Sequence, residues 1–132
     1  ARLGLAERVH LPGFAADPAR VLGLFDLFAL SSDSEQFPIS VVEAMAAGLA
    51  VVSPRVGDVA AMLPEENQAW LTAPGDDAEL GRAFAAAAAD PAARERIGAA
   101  NRALALAAYS EAQMLAAYRD TYASALGRPS FP

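Results

Sequence analysis

Two glutamates eight residues apart, Glu35 and Glu43, stand on either side of a proline that opens an apolar run. A carboxylate can accept two hydrogen bonds from a vicinal diol such as that of ribose. Between the two acids the chain reads Gln36-Phe37-Pro38-Ile39-Ser40-Val41. Pro38 suits the first turn of a helix, whose opening leaves the amides of Ile39, Ser40 and Val41 unpaired in front of the positive end of the helix dipole. Such amides suit a diphosphate. Together the segment describes a site for a ligand with a sugar, a diphosphate and a ribose: Glu43 toward the ribose, Glu35 toward sugar hydroxyls. A plainer reading makes Glu43 a solvated acid in the first turns of a helix and Glu35 ordinary loop surface. Asp33 and Ser34 fit a turn equally well. Asp76 and Asp77 are explained by an N-cap and a first-turn acid, so no metal site is assigned. His10 has no identifiable acid partner, and no residue is given a certain catalytic role.

The elements that must position this segment are legible as a pattern. Residues 9–11, 27–30, 49–52 and 69–71 are short apolar runs bounded by Pro, Gly, Ser or charged residues, as strands buried on both faces should be. Helical patterns lie between them. Asp17-Pro18 opens the first, residues 38–47 form the second, closed by Gly48, and residues 57–63 form a short third, ended by Pro64. Strands spaced in this way build right-handed βαβ units. Residues 76–126 are helical throughout, broken at Asp90-Pro91 and near Ser110, where Ser110 and Gln113 predict a capping box. The fold class is therefore α/β: a Rossmann-like parallel sheet of about four strands with flanking helices and a C-terminal run of three helices. The polar segment leaves the carboxyl end of the second strand, where open α/β sheets bind ligands. Met114, Tyr118 and Tyr122 fall at helical spacing as a packing stripe.

With 132 residues, 55% of them hydrophobic, the chain supports one domain, residues 1–132, with a substantial core. A net charge of −6 and scattered arginines argue against a nucleic-acid partner. The absence of cysteine excludes disulfides and thiolate metal sites and fits a reducing compartment, the cytosol. No apolar stretch reaches the roughly 20 residues that span a bilayer. The opening Ala1-Arg2-Leu3-Gly4 has none of the marks of a signal peptide and reads as a cut inside a longer chain.

Glu35 and Glu43 match the E-x7-E motif of retaining GT-B glycosyltransferases of family 4, the glycosyl transferases group 1, and Glu43-Ala44-Met45-Ala46-Ala47-Gly48 resembles the segment that follows it. Val9-His10-Leu11-Pro12-Gly13-Phe14 resembles that family's strand and glycine turn beside the nucleotide base. Pro74-Gly75-Asp76, Asp90-Pro91, Arg96-Ile97-Gly98 and Tyr109-Ser110 resemble its later helices. The resemblance covers nearly the whole chain. It implies the C-terminal, donor-binding domain, with a nucleotide-diphosphate sugar as donor, no cofactor, and metal-independent transfer of a hexose-type sugar to an acceptor with retention. It places Glu35 on donor-sugar hydroxyls, Glu43 on the ribose, the amides from Phe37 to Val41 on the sugar and diphosphate, and Gly13 near the base. Gln36 and Pro38 stand where the family often has glycine, which removes backbone freedom and one amide donor. The basic residues that clamp the pyrophosphate and the acceptor site lie, by the same resemblance, in the missing N-terminal region and domain, so the fragment alone is expected to be inactive.

The doubly wound order places two missing strands between residues 9–11 and 27–30, leaving an exposed sheet edge or one filled by a partner chain, a route to a dimer. The last helix is expected to lean on the missing domain. Localisation is expected to be cytoplasmic, extending to peripheral association at the inner membrane face. Two other functions compete: a non-enzymatic ligand-binding or assembly module on the same fold, and another GT-B chemistry such as sugar-nucleotide epimerisation or phosphorolysis.

Overall fold

A computed structural model describes residues 4–130 and arranges them as a parallel sheet flanked by helices, followed by three consecutive helices. A one-turn helix, α1 (Ala19–Leu22), leads into β1 (Phe28–Ala29), and α2 (Ile39–Ala46) joins β1 to β2 (Val51–Pro54). A short helix, α3 (Val59–Met62), and a 3-10 helix (Glu65–Trp70) join β2 to β3 (Leu71–Thr72). Then come α4 (Asp77–Ala89), α5 (Pro91–Ala108) and α6 (Glu111–Ala125).

The strand order is β1-β2-β3, with Phe28 opposite Val51 and Ser53 opposite Leu71. Strand β2 is central and wholly buried, and its side chains alternate between two cores. Val51 joins Val41, Met45, Met62 and Leu71 on one face, while Val52 joins Trp70, Ala87 and Ile97 on the other. Burial on both faces is why the strand shows no apolar-polar alternation; its one polar side chain, Ser53, is buried and donates its hydroxyl to Pro54 O at 2.8 Å. Because β3 begins too late to pair with Val51, the side chain of Asn67 takes the vacant rung. Its Nδ2 donates to Val51 O at 2.7 Å and its Oδ1 accepts from Val51 N at 3.0 Å. From α5, Asn101 Nδ2 donates to Leu49 O and to Asn67 Oδ1, both at 2.8 Å. Two buried side chains thus satisfy backbone groups that a longer strand would have paired.

Helix boundaries follow their chemistry. Asp76 Oδ1 accepts from Glu79 N at 2.7 Å to cap α4, and Asp90 Oδ1 accepts from Ala93 N at 2.9 Å to cap α5, with Pro91 in its first turn. Ser110 and Gln113 form the anticipated capping box of α6. Gly48 ends α2 at φ +80°, and α5 crosses there so closely that a Cβ on Gly98 would fall far inside contact distance of Gly48 O.

Among the described residues the sheet has three strands rather than about four. Residues 9–11 do not form a strand: they are exposed, and the amides of Arg8 and Val9 donate to Leu5 O in a turn. A strand exists only by pairing, and among the described residues β1 has a neighbour on one side only. Apolar Leu24, Phe25 and Phe84 lie exposed. The first helix is a single turn, in which Asp17 contributes its carbonyl, accepting from Arg20 N at 3.3 Å. Residues 27–30 shorten to Phe28–Ala29, residues 49–52 shift to Val51–Pro54, and residues 69–71 to Leu71–Thr72, because the 3-10 helix persists through Trp70. Met114, Tyr118 and Tyr122 pack against no core of the described residues and stay half-exposed. No helix of the described residues is long and apolar enough to cross a membrane.

Candidate donor-binding site

The segment 31–37 leaves the carboxyl end of β1 and turns into α2, so the two glutamates are positioned by different means. Glu43 rides on the second turn of a helix whose Val41, Ala44 and Met45 are completely buried, and its direction is fixed by the core. Glu35 lies on the loop, half-buried. Among the described residues neither carboxylate has a hydrogen-bond or ion-pair partner. Glu43 lines a mainly apolar groove of about 280 Å3 with Ala19, Leu22, Ala46 and Ala47, between α1 and α2.

Pro38 is buried, with φ −69° and ψ 109°, and offers the helix no side-chain cap. The first helical amides therefore have no built-in acceptor. Of the three expected to be open, Val41 N is engaged, donating to Pro38 O at 3.0 Å, and its side chain belongs to the core. The tightened first turn leaves Ile39 and Ser40 as the amides that precede every intrahelical acceptor. Ile39 and Gln36 are both exposed, placing both side chains at the solvent side of this corner.

The loop itself is held from two directions. From below, Asp58 N donates to Gln36 O at 2.8 Å, and Gly57 at φ +51° lets the 35–36 backbone lie directly on it. A Cβ at Gly57 would collide with the carbonyl oxygens of both Glu35 and Gln36. From the side, Phe37 meets Tyr109 edge to face, with ring centroids 5.7 Å apart and planes at 74°. Tyr109 Oη donates to Met62 O at 3.2 Å, and burial pushes the phenol pKa above its ordinary value, keeping it a donor.

The structure thus gathers Glu35, Gln36, Phe37, Pro38, Ile39, Ser40 and Glu43 around the start of α2. Gly13 stands apart on an exposed segment ahead of α1, at φ +81° with open space where a Cβ would project. His10 is exposed and Asp76 is committed to its cap, as read from the sequence. The groups that sequence reasoning missed are the supports, Gly57, Asp58 and Tyr109. Gly57 had a weak signal, a glycine between a strand and a helix, and Tyr109 had none beyond its aromatic character.

A loop at the carboxyl end of a parallel strand, open helix amides and a partnerless acid over a groove together define a Rossmann-like ligand site. The chain belongs to the glycosyl transferases group 1 family, which it matches over residues 1–104. It is similar to the lipopolysaccharide core biosynthesis glycosyltransferase LpsD of Rhizobium meliloti, with 28% identity over 91% of this chain and 35% of that protein. Among solved structures it is similar to Anabaena HepE in complex with UDP-glucose, at 32% identity and TM-score 0.71 over 79% of this chain and 29% of that one. It is also similar to HepE in complex with UDP, at 29% identity and TM-score 0.81 over 93% and 34%. The chain spans about a third of the length of these relatives. Its fold is that of a GT-B glycosyltransferase domain.

Proposed function

We propose that this chain is the donor half of a retaining transferase that takes a hexose from a uridine diphosphate sugar. One observation carries the reading: two carboxylates, Glu35 and Glu43, without a partner among the described residues, flank the open start of α2 beside an apolar groove. In this reading the groove holds the nucleoside, with the Glu43 carboxylate accepting from both ribose hydroxyls. The amides of Ile39 and Ser40 and the dipole of α2 take the diphosphate, whose negative charge grows as the sugar departs. Glu35 and the backbone of the loop orient the hexose. No residue of the chain is assigned a bond-making role.

The UDP and UDP-glucose complexes of HepE support the choice of base and sugar. Neutralisation of the diphosphate is assigned to amides, helix dipole and basic residues of the remaining protein, without a metal. Retention, dependence on a second domain for activity, and a cytoplasmic site at the inner membrane face belong to the same proposal.

Calorimetric titration of UDP, GDP, ADP and their glucose conjugates into the full-length protein and its Glu43→Ala variant tests it. UDP and UDP-glucose are expected to bind, and the substitution to weaken both by at least about 1.5 kcal/mol, the cost of losing hydrogen bonds to a charged acceptor. Unchanged affinity in the variant would return Glu43 to the role of a solvated helical acid and favour a non-enzymatic module.

A further inference from the structure

The donor loop has no secondary structure of its own, so something outside it must set where its atoms stand. Its only aromatic, Phe37, sits one residue before buried Pro38 and two before the open amide of Ile39. Phe37 is itself half-exposed and lies outside the main core, so core packing alone does not fix it. The ring that meets it belongs to Tyr109, 72 positions later in the chain, at the corner between α5 and α6. Tyr109 is anchored independently of the loop. Its ring is packed against the main core, its amide donates to Ala105 O at 2.9 Å, and its hydroxyl donates to Met62 O at the end of α3.

We propose that Tyr109 is a positioning residue for the donor loop, its ring setting the place of Phe37 and thereby of the Ile39 and Ser40 amides. A perpendicular ring pair has a preferred distance and tilt, so it specifies position in a way that an aliphatic contact does not. The Met62 bond ties Tyr109 to the end of α3, and α3, which begins just after Gly57 and Asp58, carries the other support of the same loop. Both supports of the loop therefore converge on the segment from Gly57 to Met62. In consequence a change at the α5–α6 corner, far from either glutamate in sequence, reaches the diphosphate amides. The inference rests on the donor-site reading only for its effect on binding; the positional claim stands on the contacts themselves.

Amide hydrogen exchange on the full-length protein, without ligand, compares the wild type with Tyr109→Leu and Tyr109→Phe. With Leu, peptides covering residues 33–41 are expected to exchange about three- to tenfold faster, the range an edge-to-face pair supports, while peptides covering β2 stay unchanged. With Phe the ring remains, so the loop is expected to keep near wild-type protection while peptides ending near Met62 loosen. A uniform acceleration that includes β2, or Phe and Leu behaving alike at the loop, would overturn the proposal in favour of general packing. Titration with UDP and UDP-glucose then separates the two ideas. If both bind, Tyr109→Leu should weaken UDP and UDP-glucose together, because the diphosphate that the Ile39 and Ser40 amides meet is common to both; unchanged affinity for UDP would count against positioning of those amides. If neither binds the wild type but the exchange pattern appears, the donor reading fails and the positioning role stands.

Discussion

Helix α2 has eight residues and α6 has fifteen, yet the shorter buries Val41, Ala44 and Met45 completely while the longer buries only Ala123. The first is held by tertiary contacts. Its buried side makes the main core, α5 presses on its final carbonyls at Gly98, and its entry loop rests on Gly57 and Tyr109. The second shows mainly local interactions: a capping box, a Thr121 bond to Ala117 O at 2.8 Å and stacked Tyr118 and Tyr122 rings. Isolated helices of about 12–15 residues are marginal in water, so α6 is near the limit of what local interactions support. Both glutamates and both open amides belong to the first region, on or beside the helix that the core holds.

The sharpest way to break this contrast is at the crossing of α5 and α2. Gly98→Ala places a methyl against Gly48 O, and neither partner is a flexible side-chain end, so two helices must separate. A loss of about 3 kcal/mol in urea unfolding is expected, at the upper end for overpacking. Gly81→Ala, in α4 with open space around it, is the control and should stabilise by about 0.5–1 kcal/mol through helix propensity. Equal, small effects at the two glycines would mean that α2 is not clamped by α5.

What the sequence made legible follows the same division. The segment from Glu35 to Gly48 was readable because its signals are local: a proline before the helix, an apolar run, a closing glycine. The caps at Asp76 and Ser110 and the helix break at Asp90-Pro91 were readable for the same reason. Strand positions slipped by one or two residues because a continuously apolar run does not mark where its ladder starts. Residues 9–11 carry a strand-like pattern but have no partner among the described residues, and pattern alone cannot supply one. Asn67 and Asn101, Gly57 beneath Gln36, and Tyr109 beside Phe37 join positions that no periodicity connects. The opening of three amides reduced to two because the first turn tightened, a detail of geometry below the resolution of residue types.

A smaller effect is expected at the loop's lower support. Gly57→Ala adds about 1 kcal/mol for a left-handed alanine and drives the methyl into the Glu35 and Gln36 carbonyls, displacing the loop and loosening the Asp58 amide bond. Because the loop lies at the surface it can yield, so global stability should fall by only about 1–2 kcal/mol. Nucleotide-sugar affinity should fall with it. A variant that loses stability but binds UDP-glucose as before would show that the loop's backbone position is not what the ligand reads.

The smallest effect belongs to α6. Tyr118→Ala removes an exposed ring stacked on Tyr122, on a helix with no residue in either core cluster. Unfolding of the sheet and α2 should shift by no more than about 0.5 kcal/mol, as for surface positions generally. Alanine is a better helix former than tyrosine, so the far-ultraviolet helical signal of α6 should hold or rise slightly. The two regions are then energetically separate, and the covered face of α2 does not depend on the exposed face of α6. A loss above about 1.5 kcal/mol in this variant, with β2 amides losing protection in step, would reverse that conclusion: the tyrosine stripe would be part of the cooperative unit that holds the donor site.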